Sequence, residues 1–331
     1  MPNKSFLYYL RTVKLKFAGF GYALFDTVFK DNKNEIHLLT ARSFGQNNTE
    51  VQTYTTFEFF QNPDDIGKYL YFQDGIAYYR SDSPYQGCSP LMPSYFGLVC
   101  MNHFISTNDQ KYYDVAEKQF DFLVKFGTET PDCFFLFYET DFKKFQVKGK
   151  WYAGITQAEM LSLGLRIYKL NPSEKLKLLL TKLVNSLQVE KKDGGILIQT
   201  PEGLPWIEEY PGEKPSFVLN GFIFCIIALL EYEQLFPNDE IRDFNNKLIE
   251  SLLRSLSFYQ RGKYFKYSRM YPTLSNIEYQ GVYVCQFKHL YELTNLDVFK
   301  ALFQRYNQMM NWKAFSEFYE IKFLGPIPIK P

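Results

Sequence analysis

A mainly α chain wound into an α/α toroid, an incomplete α/α barrel, is predicted by three features of the sequence. An apolar helix followed by an amphipathic one recurs four times, with starts near Ser94, Gly154, Ser216 and Tyr279. These starts lie roughly 60 residues apart, a period that marks stacked supersecondary units. Between the helix pairs stand short aromatic runs with turn signals, which predict β-hairpins at one end of the ring.

Each element follows from its own residues. In the first unit an apolar stretch over residues 95–105 precedes an amphipathic helix over 110–126. Asn171-Pro172-Ser173-Glu174 and Pro237-Asn238-Asp239-Glu240 are capped starts with an acidic first turn, and they predict helices over 173–187 and 239–257. Leu176, Leu179, Leu180, Leu183 and Leu187 form one stripe, and Ile241, Phe244, Leu248 and Leu252 form another. The last amphipathic helix is expected over 296–310. Residues 217–230 are apolar except at Asn220 and Gly221, too short to span a bilayer but suited to a helix buried on every side. Buried helices paired with amphipathic ones imply an inner and an outer ring. The linkers at 133–138, 192–198 and 263–267 read as hairpins. Residues 1–93 are expected to form an extended, β-containing segment, with β-like runs at 51–60 and 68–79, packed on a toroidal domain of residues 94–331.

Composition narrows the function. The 37 basic and 36 acidic residues leave a net charge of +1, without the basic surplus a dedicated nucleic-acid binder needs. Five widely spaced cysteines read as reduced, mostly buried thiols, and the three histidines have no metal-ligand spacing. No metal and no cofactor is expected, because phosphate loops, nucleophile elbows and H-E-x-x-H are all missing from the sequence. The basic, aromatic start at 1–30 has neither a spanning helix nor a signal-peptide pattern, so a cytoplasmic location and a weak contact with a membrane surface are the expectations. The sequon Asn47-Asn48-Thr49 matters only in a secreted chain. A homodimer is also expected. The 33 Phe and 26 Tyr suit a thick core or a cleft that stacks sugar rings.

The strongest chemical signal is Leu204-Pro205-Trp206-Ile207-Glu208-Glu209-Tyr210-Pro211, which runs straight into the apolar helix. Pro211 keeps Tyr210 extended, so Trp206, Glu208 and Tyr210 are expected on one side and Ile207 and Glu209 on the other. Taken alone the segment also reads as a polar loop with a solvated glutamate pair, Glu208 above all. Lys266, Tyr267 and Arg269 on the third hairpin, Glu278, Tyr279 and Tyr283 on the fourth inner helix, and Gln157 and Glu159 on the second add polar groups at equivalent ends of the repeats.

These residues resemble D-glucuronyl C5-epimerases acting on heparosan and heparan precursors. The resemblance rests on Glu208-Glu209-Tyr210-Pro211 followed by Pro215-Ser216-Phe217-Val218-Leu219-Asn220-Gly221-Phe222. It rests also on Trp151-Tyr152-Ala153-Gly154-Ile155-Thr156-Gln157, and on Glu278-Tyr279 with Gln286 and Leu290. It covers roughly residues 90 to 312 and implies an α/α barrel with catalytic Tyr210, Tyr267 and Tyr279 and an acidic partner at Glu209. The substrate it implies is a uronate-containing polysaccharide, bound by Arg269, Lys266, Asn220, Gln157, Tyr283 and Trp206. Two departures stand out: Arg269 is offset by one residue from the family's arginine, and Gln280-Gly281-Val282-Tyr283 replaces a His- and Thr-rich run. The animal enzymes carry an extra β-rich domain, for which residues 1–93 are too short.

The implied reaction removes the C5 proton of a glucuronate and returns one on the opposite face, so two acid/base groups flank the ring. A tyrosine of reference pKa ~10 acts as a base near neutral pH only if cations depress it or a neighbour takes its proton. Arg269 and Lys266 are candidates for the first role and Glu209 for the second. A polysaccharide lyase, a glycoside hydrolase pairing Glu209 with Glu159 or Glu278, and a non-catalytic glycan-binding module remain open at this point.

Overall fold

The computed structural model describes residues 63, 70–79, 89–261, 264–275 and 277–307. The β-like run at 51–60, the basic start at 1–30, the sequon, Cys88 and residues 308–310 of the last expected helix lie outside the described residues. Eight α-helices stand among them: α1 (Leu91–Thr107), α2 (Gln110–Phe126), α3 (Gly154–Leu170), α4 (Glu174–Ser186), α5 (Leu219–Leu235), α6 (Asp239–Tyr259), α7 (Ile277–Thr294) and α8 (Asp297–Asn307). Each odd-numbered helix packs on the even one that follows it and on the next odd one. The odd helices are therefore an inner row and the even ones an outer row, which is the α/α toroid.

The local reasons are those of the sequence. Asp109, Ser173 and Asn238 cap α2, α4 and α6 by accepting the amides of Lys111, Leu176 and Ile241 at 3.1, 3.2 and 3.0 Å. Asn108 and Asn295 turn α1 into α2 and α7 into α8 with φ of 57° and 56°, a region asparagine enters more easily than most residues. Helix α5 is buried from Leu219 through Tyr232, and α3 from Gly154 through Ile167. Each large apolar side chain on these helices contributes roughly 1.5–3 kcal/mol on burial. The core of the ring also holds charge. Arg166 of α3 donates to both carboxylate oxygens of Glu231 of α5 at 3.0 and 2.7 Å, Ser162 adds a 2.7 Å bond, and His289 of α7 lies 3.4 Å away.

The connections carry small antiparallel pairs. A hairpin of β1 (Leu70–Gln73) and β2 (Ile76–Tyr79) packs on α1 and α2, where Gln119 accepts the Ala77 amide and donates to the Gly75 carbonyl. Between α2 and α3, β3 (Thr128–Glu129) pairs with β4 (Phe134–Phe135), and β5 (Phe137–Tyr138) with β6 (Trp151–Tyr152). Between α4 and α5, β7 (Leu197–Gln199) pairs with β8 (Pro205–Ile207), placing Ile198 opposite Trp206. Between α6 and α7, β9 (Gln260–Arg261) pairs with β10 (Tyr264–Phe265). The expected strand over 133–138 is broken at Leu136, whose amide donates to the Gln157 side chain at 2.9 Å. Helix α5 starts at Leu219 instead of Ser216, because the amides of Ser216 and Phe217 are taken by Glu208 and Phe217 sits at φ 47°.

Candidate active site

The segment after β8 is anchored before it reaches the site. The Glu208 amide donates to the Ile196 carbonyl at 2.9 Å, and its carbonyl accepts the Gly154 amide at 3.0 Å. Its carboxylate, fully buried, takes the amides of Ser216 and Phe217 at 2.9 Å each and the Ser216 hydroxyl. Tyr259 closes the same turn by donating to the Phe217 carbonyl at 2.6 Å. Glu208 is thus not the solvated residue expected; burial pushes its carboxyl up to about 6, against those three donors. The expected side-to-side alternation fails at Tyr210, because β8 ends at Ile207 and the chain bends through Glu209 and Tyr210.

That bend brings Glu209 and Tyr210 together. Tyr210 stacks on Phe145 at 4.2 Å and 10° and touches Phe142 and Trp151. Its hydroxyl is hydrogen-bonded to Glu209 and to Tyr267. The Tyr267 hydroxyl donates to Glu209 Oε1 at 3.5 Å, and its ring meets Tyr279 edge-on at 5.2 Å. Four predicted residues from three separate segments therefore form one contiguous array at the N-terminal ends of α3, α5 and α7. The positive ends of the helix dipoles favour a negative ligand there. Glu209 is buried and its Oε2 lacks a hydrogen-bond partner among the described residues. It lies against Gly221 of α5, where any Cβ would run into Oε2. Burial and the neighbouring Glu208 push its carboxyl up to about 7, opposed by Tyr210, Tyr267 and the charge of Lys144. Burial and the Glu209 charge raise Tyr267 well above the usual tyrosine value. The resting tyrosine is protonated, and its carboxylate neighbour is poised to exchange a proton near neutrality.

Behind Glu209 stands a second buried carboxylate. Glu159, on α3, also has an orphaned Oε2, and burial and the Glu209 charge raise it well above the carboxylate range. The Cys225 thiol is raised by burial and by both carboxylates. Tyr138, hydrogen-bonded to Thr156 at 2.7 Å, borders a cavity of about 20 Å³ with Ser89, Leu91, Trp151, Ile155, Glu209 and Tyr210. That space holds about one water.

Other residues expected to bind substrate have different partners. Trp206 is fully buried between Phe222, Phe217 and Tyr259. Gln157 holds Leu136, Phe134 and Ser186 together from α3. Tyr283 is buried and donates to the Lys266 carbonyl at 3.5 Å. Asn220 is buried in the first turn of α5, its Oδ1 without a partner among the described residues and its carbonyl bonded by Gln286. Lys266 Nζ donates to the Phe258 carbonyl at 2.8 Å, and Arg269 donates to Ser255 at 3.0 Å while lying over Phe217 and Phe258. Both cations are drawn to the C-terminal end of α6. β10 stops at Phe265, and the Lys266–Leu274 and Val218–Ser268 bridges then fix the side to which each residue turns. Among the described residues the cation that faces the array is Lys144, which no motif or spacing singles out. Its Nζ stands 5.3, 5.7 and 5.9 Å from the ring centres of Phe145, Tyr267 and Tyr271. It sits in a 3-10 turn, Lys143–Phe145, more than sixty positions before Tyr210. Among the described residues no cluster of three or more His, Cys, Asp or Glu is placed to hold a metal.

Residues 132–308, just over half the chain, match the D-glucuronyl C5-epimerase C-terminus. The chain belongs to that family. The matched region contains every residue of the array, together with Glu159 and Lys144. A D-glucuronyl C5-epimerase of Caenorhabditis elegans is 28% identical over 152 residues, 40% of this chain and 24% of that protein. An uncharacterized protein of Methanocaldococcus jannaschii is 22% identical over 215 residues, 64% of this chain and 66% of that one. The chain thus spans less than two thirds of either relative. Among solved structures, the GH76 α-mannanase BT2949 of Bacteroides thetaiotaomicron superposes with a TM-score of 0.52 at 11% identity, covering 76% of this chain and 65% of that one. This likeness shows the fold alone and agrees with the toroid. Among the described residues no helix is long and apolar enough to cross a membrane.

Proposed function

We propose that this protein inverts C5 of D-glucuronate residues within a polysaccharide, giving L-iduronate. The observation that carries this is the hydrogen-bonded set of Tyr210, Tyr267 and Glu209, with Tyr279 against Tyr267. Tyr279 serves one face of the sugar and Tyr210 or Tyr267 the other, as proton removal and return on opposite faces require. With Arg269 and Lys266 bonded elsewhere and burial raising Tyr267 instead of depressing it, Tyr267 does not rest as a tyrosinate. Glu209 takes the proton from a tyrosine as that tyrosine takes the one at C5, and it can do so because its own value lies near neutrality. Each such positioned acid/base group contributes about 10²–10⁴-fold.

The test is incubation with heparosan and other glucuronate polymers in D2O, followed by NMR. Deuterium at C5 together with new iduronate signals is expected. No exchange with any uronate polymer overturns the proposal. Exchange accompanied by a conjugated C4–C5 double bond in a shortened chain would make the enzyme a lyase instead.

A further inference from the structure

Abstraction at C5 drives negative charge onto the uronate carboxylate, and a cation must meet it. The two cations that the family resemblance implies for this are committed to Ser255 and to the Phe258 carbonyl at the C-terminal end of α6. Lys191 donates to the carbonyls of Gly212 and Glu213. Lys144 differs. Its backbone is fixed while its ammonium is exposed, and no described carboxylate forms a salt bridge with it.

The turn that carries Lys144 is built to hold position. Phe142 and Val147 exchange amide-to-carbonyl bonds of 2.9 and 3.2 Å across it, and Gln146 closes it in a left-handed conformation at φ 57°. The Tyr271 hydroxyl donates to the Lys144 carbonyl. The Phe145 carbonyl presses on Gly212, where no Cβ fits, and the Phe145 ring stacks on Tyr210. The same turn thus fixes the ring of one acid/base residue and suspends an ammonium over the ring of another, Tyr267.

We propose that Lys144 receives the carboxylate of the bound uronate, the role the family resemblance implies for Arg269. This rests on the epimerase assignment for its catalytic consequence but not for its binding consequence, so the two are separable. The ammonium contributes in the ground state and more as charge accumulates on the carboxylate, so its loss raises KM and lowers kcat together.

The experiment compares wild type, K144Q and K144R for binding of a glucuronate-containing oligosaccharide and of the same oligosaccharide with its carboxyls reduced to primary alcohols, by titration calorimetry. Thermal melts check that the exposed substitutions leave the fold intact. Wild type is expected to prefer the carboxylated ligand about tenfold, K144Q to lose that preference, and K144R to keep most of it. An unchanged preference in K144Q overturns the proposal. Equal weakening toward both ligands also overturns it, since that is the signature of the lysine stem packing on the aromatic rings alone. If wild type fails to exchange C5 with every polymer while the binding preference tracks Lys144, the reaction assignment falls and the carboxylate site stands. If exchange occurs but is indifferent to K144Q, the reverse holds.

Discussion

Two buried carboxylates on neighbouring inner elements meet opposite fates. Glu231 would be raised by burial, but Arg166 and His289 overcome that and hold it at about 2. Glu209, equally removed from water, has tyrosines and another carboxylate for neighbours and stands at about 7. One oxygen of Glu209 has no hydrogen-bond partner among the described residues, whereas both oxygens of Glu231 are bonded. A buried charge that is fully matched ties three helices together; one left under-matched at the mouth of the same ring can change protonation state during a reaction.

The difference can be broken at either end. The largest effect on stability is expected from Arg166→Met, which leaves Glu231 buried without its guanidinium and costs about 3–5 kcal/mol in denaturant unfolding. Glu209→Gln should do the opposite: C5 exchange falls by about 10²–10⁴-fold while the fold holds. Its pH dependence separates the two centres further. The folded Glu209 value lies above the unfolded one, so its contribution to stability is greatest below about 4.5 and is lost as pH rises toward 7. Glu209→Gln should therefore flatten stability between those values, raising it near pH 8 by up to about 3 kcal/mol. The folded Glu231 value lies below the unfolded one, so its contribution is present above about 4.5 and lost as pH falls toward 2. Urea midpoints across pH for wild type, Glu209→Gln and Glu231→Gln check both slopes; parallel curves would remove the distinction. The smallest effect is that of Gly221→Ala, whose Cβ runs into Glu209. Overpacking of this kind costs about 1–3 kcal/mol, and here exchange should fall because the carboxylate is displaced.

The ring was legible because its rules are local. The stripes of α4 and α6 and the caps at Ser173 and Asn238 need only neighbouring residues, and those helices stand within two residues of the predicted ends. The array was legible in part. Glu209, Tyr210, Tyr267 and Tyr279 lie in runs long enough to be read as motifs, and the structure brings them together. Side-chain direction was not legible. Lys266 and Arg269 follow a strand of two residues, after which an isolated bridge and not alternation decides which way each points. Glu208 and Glu209 are chemically identical neighbours, and only the bend between them makes one a structural acceptor and the other a partner of tyrosines. Lys144 had no signal because it reaches the array through a turn in another connection, stacked there by Phe145.

The hairpins over the mouth of the ring have a consequence for how change spreads through it. Among the described residues every paired strand finds its mate within its own connection, and no sheet runs from one connection into the next. The connections meet instead at isolated points, among them the Val218–Ser268 bridge, the Met270 amide on the Ser216 carbonyl and the Tyr271 hydroxyl on the Lys144 carbonyl. The helices supply a fixed frame, and a change in one connection reaches the next only through such point contacts and through the array that the connections share.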